Sequence, residues 1–389
     1  MAHRIGALGR VYAFGAAWMG VIVMPVYVPF LAARGLTISD VLSLQGIYAV
    51  AMLLFEIPTG YVCDVLGRRR TILIGAVANL AGFIAFAMAH GFAAYAVVQL
   101  VLAAGFSLVS GADIALIYDI LDVENADRTT RRKAISGYMI AGVLGEAGLG
   151  MLGSALATWS LTAVGVATAV EAALPLLIAT TLPGGGNRPS AVKIADVPPA
   201  VRELFLRPGL GLLFANMTVW GLSTFIALWL LQPYWHEQGV GTRWFGPLWA
   251  GTLVTVAITA KLAHQLTART GRRGALLIVA LAPVAGYAGM AWSGGTPGIV
   301  AGFLFYISRG LNSVNLTEAF NHQVPSRLRA TFNSMNSGAF RLSFAVAGPV
   351  VGIAVKEHGL NWSLALLAVA FLLAFVLIGV PLLRRPAAL

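Results

Sequence analysis

Charge, cysteine and long polar stretches are what this chain has little of. Only 11% of its 389 residues are charged and 58% are hydrophobic, whereas a soluble domain carries about 25% charged residues. No water-facing surface can be assembled from so few charges, so lipid has to solvate this composition. A single cysteine, Cys63, excludes a disulfide framework and any cysteine-based metal cluster. The six histidines are scattered along the chain and suggest no metal site. There is no glycine-rich loop of nucleotide-binding spacing and no polar domain large enough to hydrolyse ATP. Any transport energy must then come from a gradient, and neither a cofactor nor enzymatic chemistry is expected.

What is present is apolar sequence in span-sized pieces. Crossing roughly 30 Å of hydrocarbon takes roughly 20 residues of helix. By that measure the chain offers helices near 11–33, 39–62, 71–89, 92–121, 134–157 and 161–182. A second set lies near 208–235, 244–266, 274–292, 296–321, 330–355 and 361–383. The first run has no small-residue cleavage site and is read as a retained span. The fold class expected is all-α: a polytopic membrane protein of twelve transmembrane helices in two six-helix pseudo-symmetric halves. The halves are 1–182 and 208–389, joined by a cytoplasmic linker over 183–207 in which Val197, Val201, Leu204 and Phe205 could form the apolar side of a surface helix.

The formal charge of +11 invites a nucleic-acid reading, but its placement argues for a membrane instead. Alternating sides puts 20 of the 26 Lys and Arg residues on one side, with Arg34, Arg243 and Lys356 on the other and Lys261, Arg309 and Arg341 within spans. That asymmetry is the positive-inside rule. It predicts a cell inner membrane location with both termini cytoplasmic. Lipid, protons and a small-molecule substrate are the expected partners, nucleic acid is not, and the chain is expected to act as a monomer.

A repeat supports two halves. Pro29 and Gly35 reappear as Pro233 and Gly239, and Gly67-Arg68-Arg69 reappears as Gly271-Arg272-Arg273, both at an offset of 204. Arg131-Arg132-Lys133-Ala134 pairs with Arg327-Leu328-Arg329-Ala330 at an offset of 196. Parallel six-span repeats are a standard way to expose one central site alternately to each side.

The most specific string is Gly60-Tyr61-Val62-Cys63-Asp64-Val65-Leu66-Gly67-Arg68-Arg69-Arg70. Gly60 would permit close helix approach, Gly67 a tight turn, and Asp64 a bond to a helix end or an arginine. With Glu56 one turn above, these residues read as a cytoplasmic latch. The string resembles the signature loop of the major facilitator superfamily, and the preceding Phe55-Glu56-Ile57-Pro58-Thr59 looks like a variant found among its drug-efflux members. The resemblance implies a rocker-switch carrier whose first, fourth, seventh and tenth helices line the cavity. In the second half the glycine and aspartate positions hold His264 and Ala268. The fourth helix carries no arginine and the fifth no glycine-proline pair, although drug–proton antiporters of the family usually have both.

Ionisable residues inside spans need a partner, a wet cavity or a function. At about 1.5 Å per residue, Asp113 lies roughly 13 Å from the cytoplasmic end of the fourth helix and is the first choice for proton coupling, with Glu146 second. Asp119, nearer the mouth, is expected to gate against the basic cluster 128–133. Arg309, Asn312 and Arg341 are candidates to meet an anionic substrate group or an acidic coupling residue, and Arg309–Glu318 is the simpler ion pair. Trp18 and Tyr27 on the first helix and Asn216 and Trp220 on the seventh are expected to offer surface to an amphipathic ligand. The preferred function is proton-coupled export of amphipathic small molecules. The alternatives are a carrier of an anionic metabolite or metallophore, and a receptor-like membrane protein that translocates nothing.

Overall fold

The computed structural model describes residues 2–122, 126–184, 197–324 and 328–385, and all regular structure among them is helical. Positions 185–196 of the expected linker and Arg327 of the repeat lie outside the described residues. Two compact units emerge, one of Met1–Ser190 with Gly241–Ala250, the other of Ala191–Val240 with Gly251–Leu389.

The first unit opens with α1 (Ala2–Met19), a turn at Met24–Val26 around Pro25, and α2 (Tyr27–Ala32). Helix α3 (Ile38–Leu66) starts at a capping box, where the Asp40 N–H donates to Thr37 Oγ1 at 3.2 Å and the Thr37 N–H donates to Asp40 Oδ2 at 2.8 Å. These bonds satisfy amides that a helix start otherwise leaves open. Then come α4 (Arg68–Met88), α5 (Gly91–Val109), α6 (Ala112–Asp122), α7 (Arg128–Ala157), α8 (Leu161–Glu171) and α9 (Ala173–Thr180). Asp127 and Ser160 cap the starts of α7 and α8 by accepting from Thr130 and Ala163 N–H groups. The glycine run of α7 has a steric reason. A Cβ at Gly145 would run into the Ala16 carbonyl and one at Gly153 into that of Ile22, so only glycine lets α1 and the chain that follows it lie this close.

The second unit contains α10 (Val197–Leu206), α11 (Pro208–Glu237), α12 (Phe245–Ser293) beyond Ala250, α13 (Gly295–Ala301), α14 (Leu304–Leu311) and α15 (Thr317–Gln323). A π-helical turn at Asn312–Leu316 joins α14 to α15. The unit closes with α16 (Arg329–His358), α17 (Leu360–Ala374) and α18 (Val380–Leu383). Helix α11 is central, packing on α14, α15, α16 and α17. Its buried Trp220, Tyr234 and Trp235 are among the largest side chains enclosed anywhere in the chain.

Ten segments among the described residues are long and apolar enough to cross a membrane. Three differences from the sequence expectation have local causes. The expected fourth helix over 92–121 is α5 and α6, broken where Gly111 adopts φ 88°. The eighth and ninth form a 52-residue candidate segment, about 78 Å if straight, but Gly271 interrupts it at φ 71°, ψ 168°. The expected helix over 296–321 is not among the ten, and it is interrupted at Gly302 and by the π turn.

The repeat reaches the backbone. Gly35 and Gly239 have φ of 82° and 74°, Gly67 and Gly271 have 81° and 71°. These are left-handed conformations that favour glycine, so the conserved spacing preserves turns as well as letters.

Candidate functional site

In the first unit the signature loop encloses Arg68. Gly67 turns the chain at φ 81° and sends the Arg68 side chain inward, where it is buried. Its Nη1 donates to Cys63 Sγ at 3.2 Å and to Asp64 Oδ1 at 3.4 Å, and its Nε lies 3.9 Å from Asp119 Oδ2. Asp119 was expected to face the 128–133 cluster, yet it meets Arg68, while Asp122, one helical turn on, pairs with Arg131 at 2.6 Å. Arg69 donates from Nη2 to the Thr180 carbonyl at 2.5 Å, and Arg10 donates to Thr181 at 2.8 Å. The two guanidinium groups therefore cap the carbonyl end of α9, where a cation is favoured. Gly60 does not have the expected packing role, since a Cβ there would meet nothing among the described residues. Glu56, one turn from Gly60, is half-buried.

Asp113 lies in the first turn of α6, immediately after the Gly111 break, and is buried. Its Oδ1 accepts from the Ile114 N–H at 2.7 Å, and its Oδ2 accepts from Tyr138 Oη on α7 at 2.5 Å. The sequence suggested a mid-helix carboxylate facing a cavity. The break makes it a buried helix-start carboxylate bonded to Tyr138. Tyr138 was missed, because nothing in its own surroundings singles it out: it stands 25 residues away, and only the fold brings it to Asp113.

Glu146 is half-buried on α7, and its Oε1 accepts from Trp249 Nε1 at 3.1 Å. Trp249 belongs to the segment 241–250 that packs in the first unit, where Gly246 sits so close to Ser154 and Met151 that a Cβ could not be accommodated.

The four residues expected to line a ligand surface are interior instead. Trp18 is buried between Phe14 and Phe106, with ring centroids 5.7 and 4.8 Å away. Tyr27 Oη accepts from Gln45 Nε2 at 3.0 Å and Gln99 Nε2 at 2.7 Å. In the second unit Trp220 Nε1 donates to Asn216 Oδ1 at 2.9 Å, and Asn216 Nδ2 donates to the Leu212 and Ile378 carbonyls at 2.8 and 3.1 Å. Packing has claimed their surface, and Tyr27, Asn216 and Trp220 have polar atoms bonded within the fold, as buried polar groups require.

Arg309 on α14 is exposed and makes no ion pair among the described residues. The Arg309–Glu318 pair does not form. Glu318 lies beside two imidazoles, Oε2 at 4.0 Å from His264 Nδ1 and Oε1 at 3.9 Å from His322 Nε2. Asn312 opens the π turn, and it and Arg341 are both half-buried.

Ten helical segments long and apolar enough to cross a membrane make this a multi-pass membrane protein by architecture. The model of the Major Facilitator Superfamily matches residues 10–332, and the chain belongs to that family. Comparison with curated proteins returned no match. Among solved structures, a mutant form of the nucleoside transporter NupG is similar at a TM-score of 0.80 and 14% identity, with 95% of this chain and 98% of that one covered. A peptide transporter POT mutant is similar at 0.78 and 15% identity, covering 99% and 94%. A D-xylose-proton symporter is similar at 0.69 and 15% identity, covering 95% and 96%. At these identities the likeness is one of fold.

Proposed function

We propose that this protein is a proton-coupled secondary transporter that exports amphipathic small molecules across the cell inner membrane. Under this reading it crosses twelve times, the 242–293 segment counting as two spans and 295–323 as the polar tenth, with both termini cytoplasmic. The observation that carries the proposal is Asp113. A carboxylate buried in a spanning segment, bonded to the Tyr138 hydroxyl and to backbone amides but with no ion pair among the described residues, is the kind of intramembrane ionisable group that serves as a proton relay. Glu146, half-buried and accepting from the Trp249 indole, is the second carboxylate available for that step. Export of amphipathic solutes rests on the Phe55-Glu56-Ile57-Pro58-Thr59 variant and the low charge of the chain. The buried Arg68, held by Asp64 and Asp119, serves as the cytoplasmic latch.

A second reading, carriage of an anionic solute, is favoured by Arg309, an exposed guanidinium without an ion pair among the described residues. Purified protein in sealed proteoliposomes with an imposed pH gradient separates the two. Gradient-driven movement of neutral or cationic amphiphiles supports export; movement confined to organic anions and lost in Arg309→Gln supports the second reading. No flux of either class rejects both.

A further inference from the structure

The signature loop occurs twice, but its arginine is treated differently in each copy. In the first unit Arg68 is buried and held by Asp64 and Asp119. At the repeat offset of 204 its counterpart is Arg272, and the counterpart of Asp64 is Ala268. At the offset of 196 that pairs Arg131 with Arg327, the counterpart of Asp119 is Asn315. Both carboxylates that hold the first arginine are therefore missing around the second. Arg272 is exposed and has no ion pair among the described residues.

A cavity of about 430 Å³ stands at this place, lined by His264, Thr267, Arg272, Asn315, Glu318 and His322 among others. Its volume is within the range of small-molecule pockets. Thr267 Oγ1 and Asn315 Nδ2 are enclosed, with no hydrogen-bond partner among the described residues. Buried donors left open are costly, and a bound group that accepts from them removes the cost. Both carboxylate oxygens of Glu318 lie beside imidazoles, so its charge faces His264 and His322.

We infer that this cavity is an anion-binding site, in which the carboxylate or phosphate of a small ligand takes the place of the two lost acidic side chains. Arg272 supplies the charge and the planar fork that suits such oxyanions, and Asn315 and Thr267 supply neutral donors. The oxyanion can belong to a water-soluble metabolite or to a lipid headgroup. The site is separate from Asp113 and from the transport reading and stands without it.

The test uses the full-length protein and inorganic phosphate at constant ionic strength. In nanodiscs of phosphatidylcholine, phosphate should raise the melting temperature saturably by a few degrees. If a headgroup is the natural occupant, discs of phosphatidylglycerol should give the stabilisation without phosphate. Either response should vanish in Arg272→Gln and persist in Arg273→Gln, which removes the same charge one residue away. Ala268→Asp restores the lost carboxylate without deleting anything, should weaken phosphate binding by about tenfold, and carries the test alone if Arg272→Gln does not fold. Equal responses in parent and Ala268→Asp, or no response of the parent to either phosphate or phosphatidylglycerol, overturn the inference.

Discussion

Which acid holds Arg68 can be decided by substitution. The motif points to Asp64, at 3.4 Å and four residues away on the sequence, and the fold adds Asp119 at 3.9 Å. Distance alone favours Asp64, but its side chain is 28% exposed against 11% for Asp119, and Arg68 itself is 8% exposed. A solvated pair four residues apart contributes about 0.5–1 kcal/mol. Two unit charges near 4 Å interact by about 4 kcal/mol at an effective dielectric of about 20, and breaking a buried pair costs about 3–5 kcal/mol. Since Arg68 keeps Cys63 and Asp64 when Asp119 is lost, we expect Asp119→Asn to cost about 3 kcal/mol and Asp64→Asn about 1 kcal/mol. Melting of the purified protein in detergent, with both variants and the double variant, measures the order. If Asp64→Asn costs as much as Asp119→Asn, burial does not govern this site and the argument is wrong.

Other outcomes follow from the same geometry. Gly153→Ala should destabilise by about 1–3 kcal/mol through its collision with Ile22, whereas Gly148→Ala, whose Cβ meets nothing among the described residues, should be neutral or mildly stabilising; equal melting points would reject the close packing of the 20–23 segment on α7. Asp64→Asn should fold yet slow exchange between access states, read from paired fluorescent labels at the cytoplasmic mouth; unchanged rates and populations remove the latch. Trp249→Phe deletes the indole donor to Glu146 and should alter transport without unfolding the protein; wild-type flux would make that bond structural. Cysteines at positions 129 and 270 should react only from the cytoplasmic side in a Cys63-less background, and labelling from outside sealed cells would invert the topology.

The all-helical, membrane-crossing fold was legible because apolar length is a direct consequence of the bilayer. The Gly67 turn was visible as well, since left-handed backbone selects glycine. The break at Gly111 was not visible, because one glycine within an apolar run reads as helix packing until its φ is known. Arg68 and Asp64 could be read as neighbours from their spacing of four. The contributions of Asp119 and Tyr138 could not, since these come from other helices and no periodicity records them. Trp18, Tyr27, Asn216 and Trp220 were misplaced for a related reason. A helix number does not fix rotation, and an aromatic inside a membrane protein packs against a neighbouring helix as readily as it faces a ligand.

The central claim, that Asp113 exchanges the coupled proton, is tested most directly by Asp113→Asn in proteoliposomes with an imposed pH gradient. The account predicts that the variant binds and exchanges substrate downhill but no longer accumulates it against a gradient, with Tyr138→Phe shifting the pH dependence without abolishing accumulation. Uphill accumulation by Asp113→Asn at unchanged proton stoichiometry would contradict it.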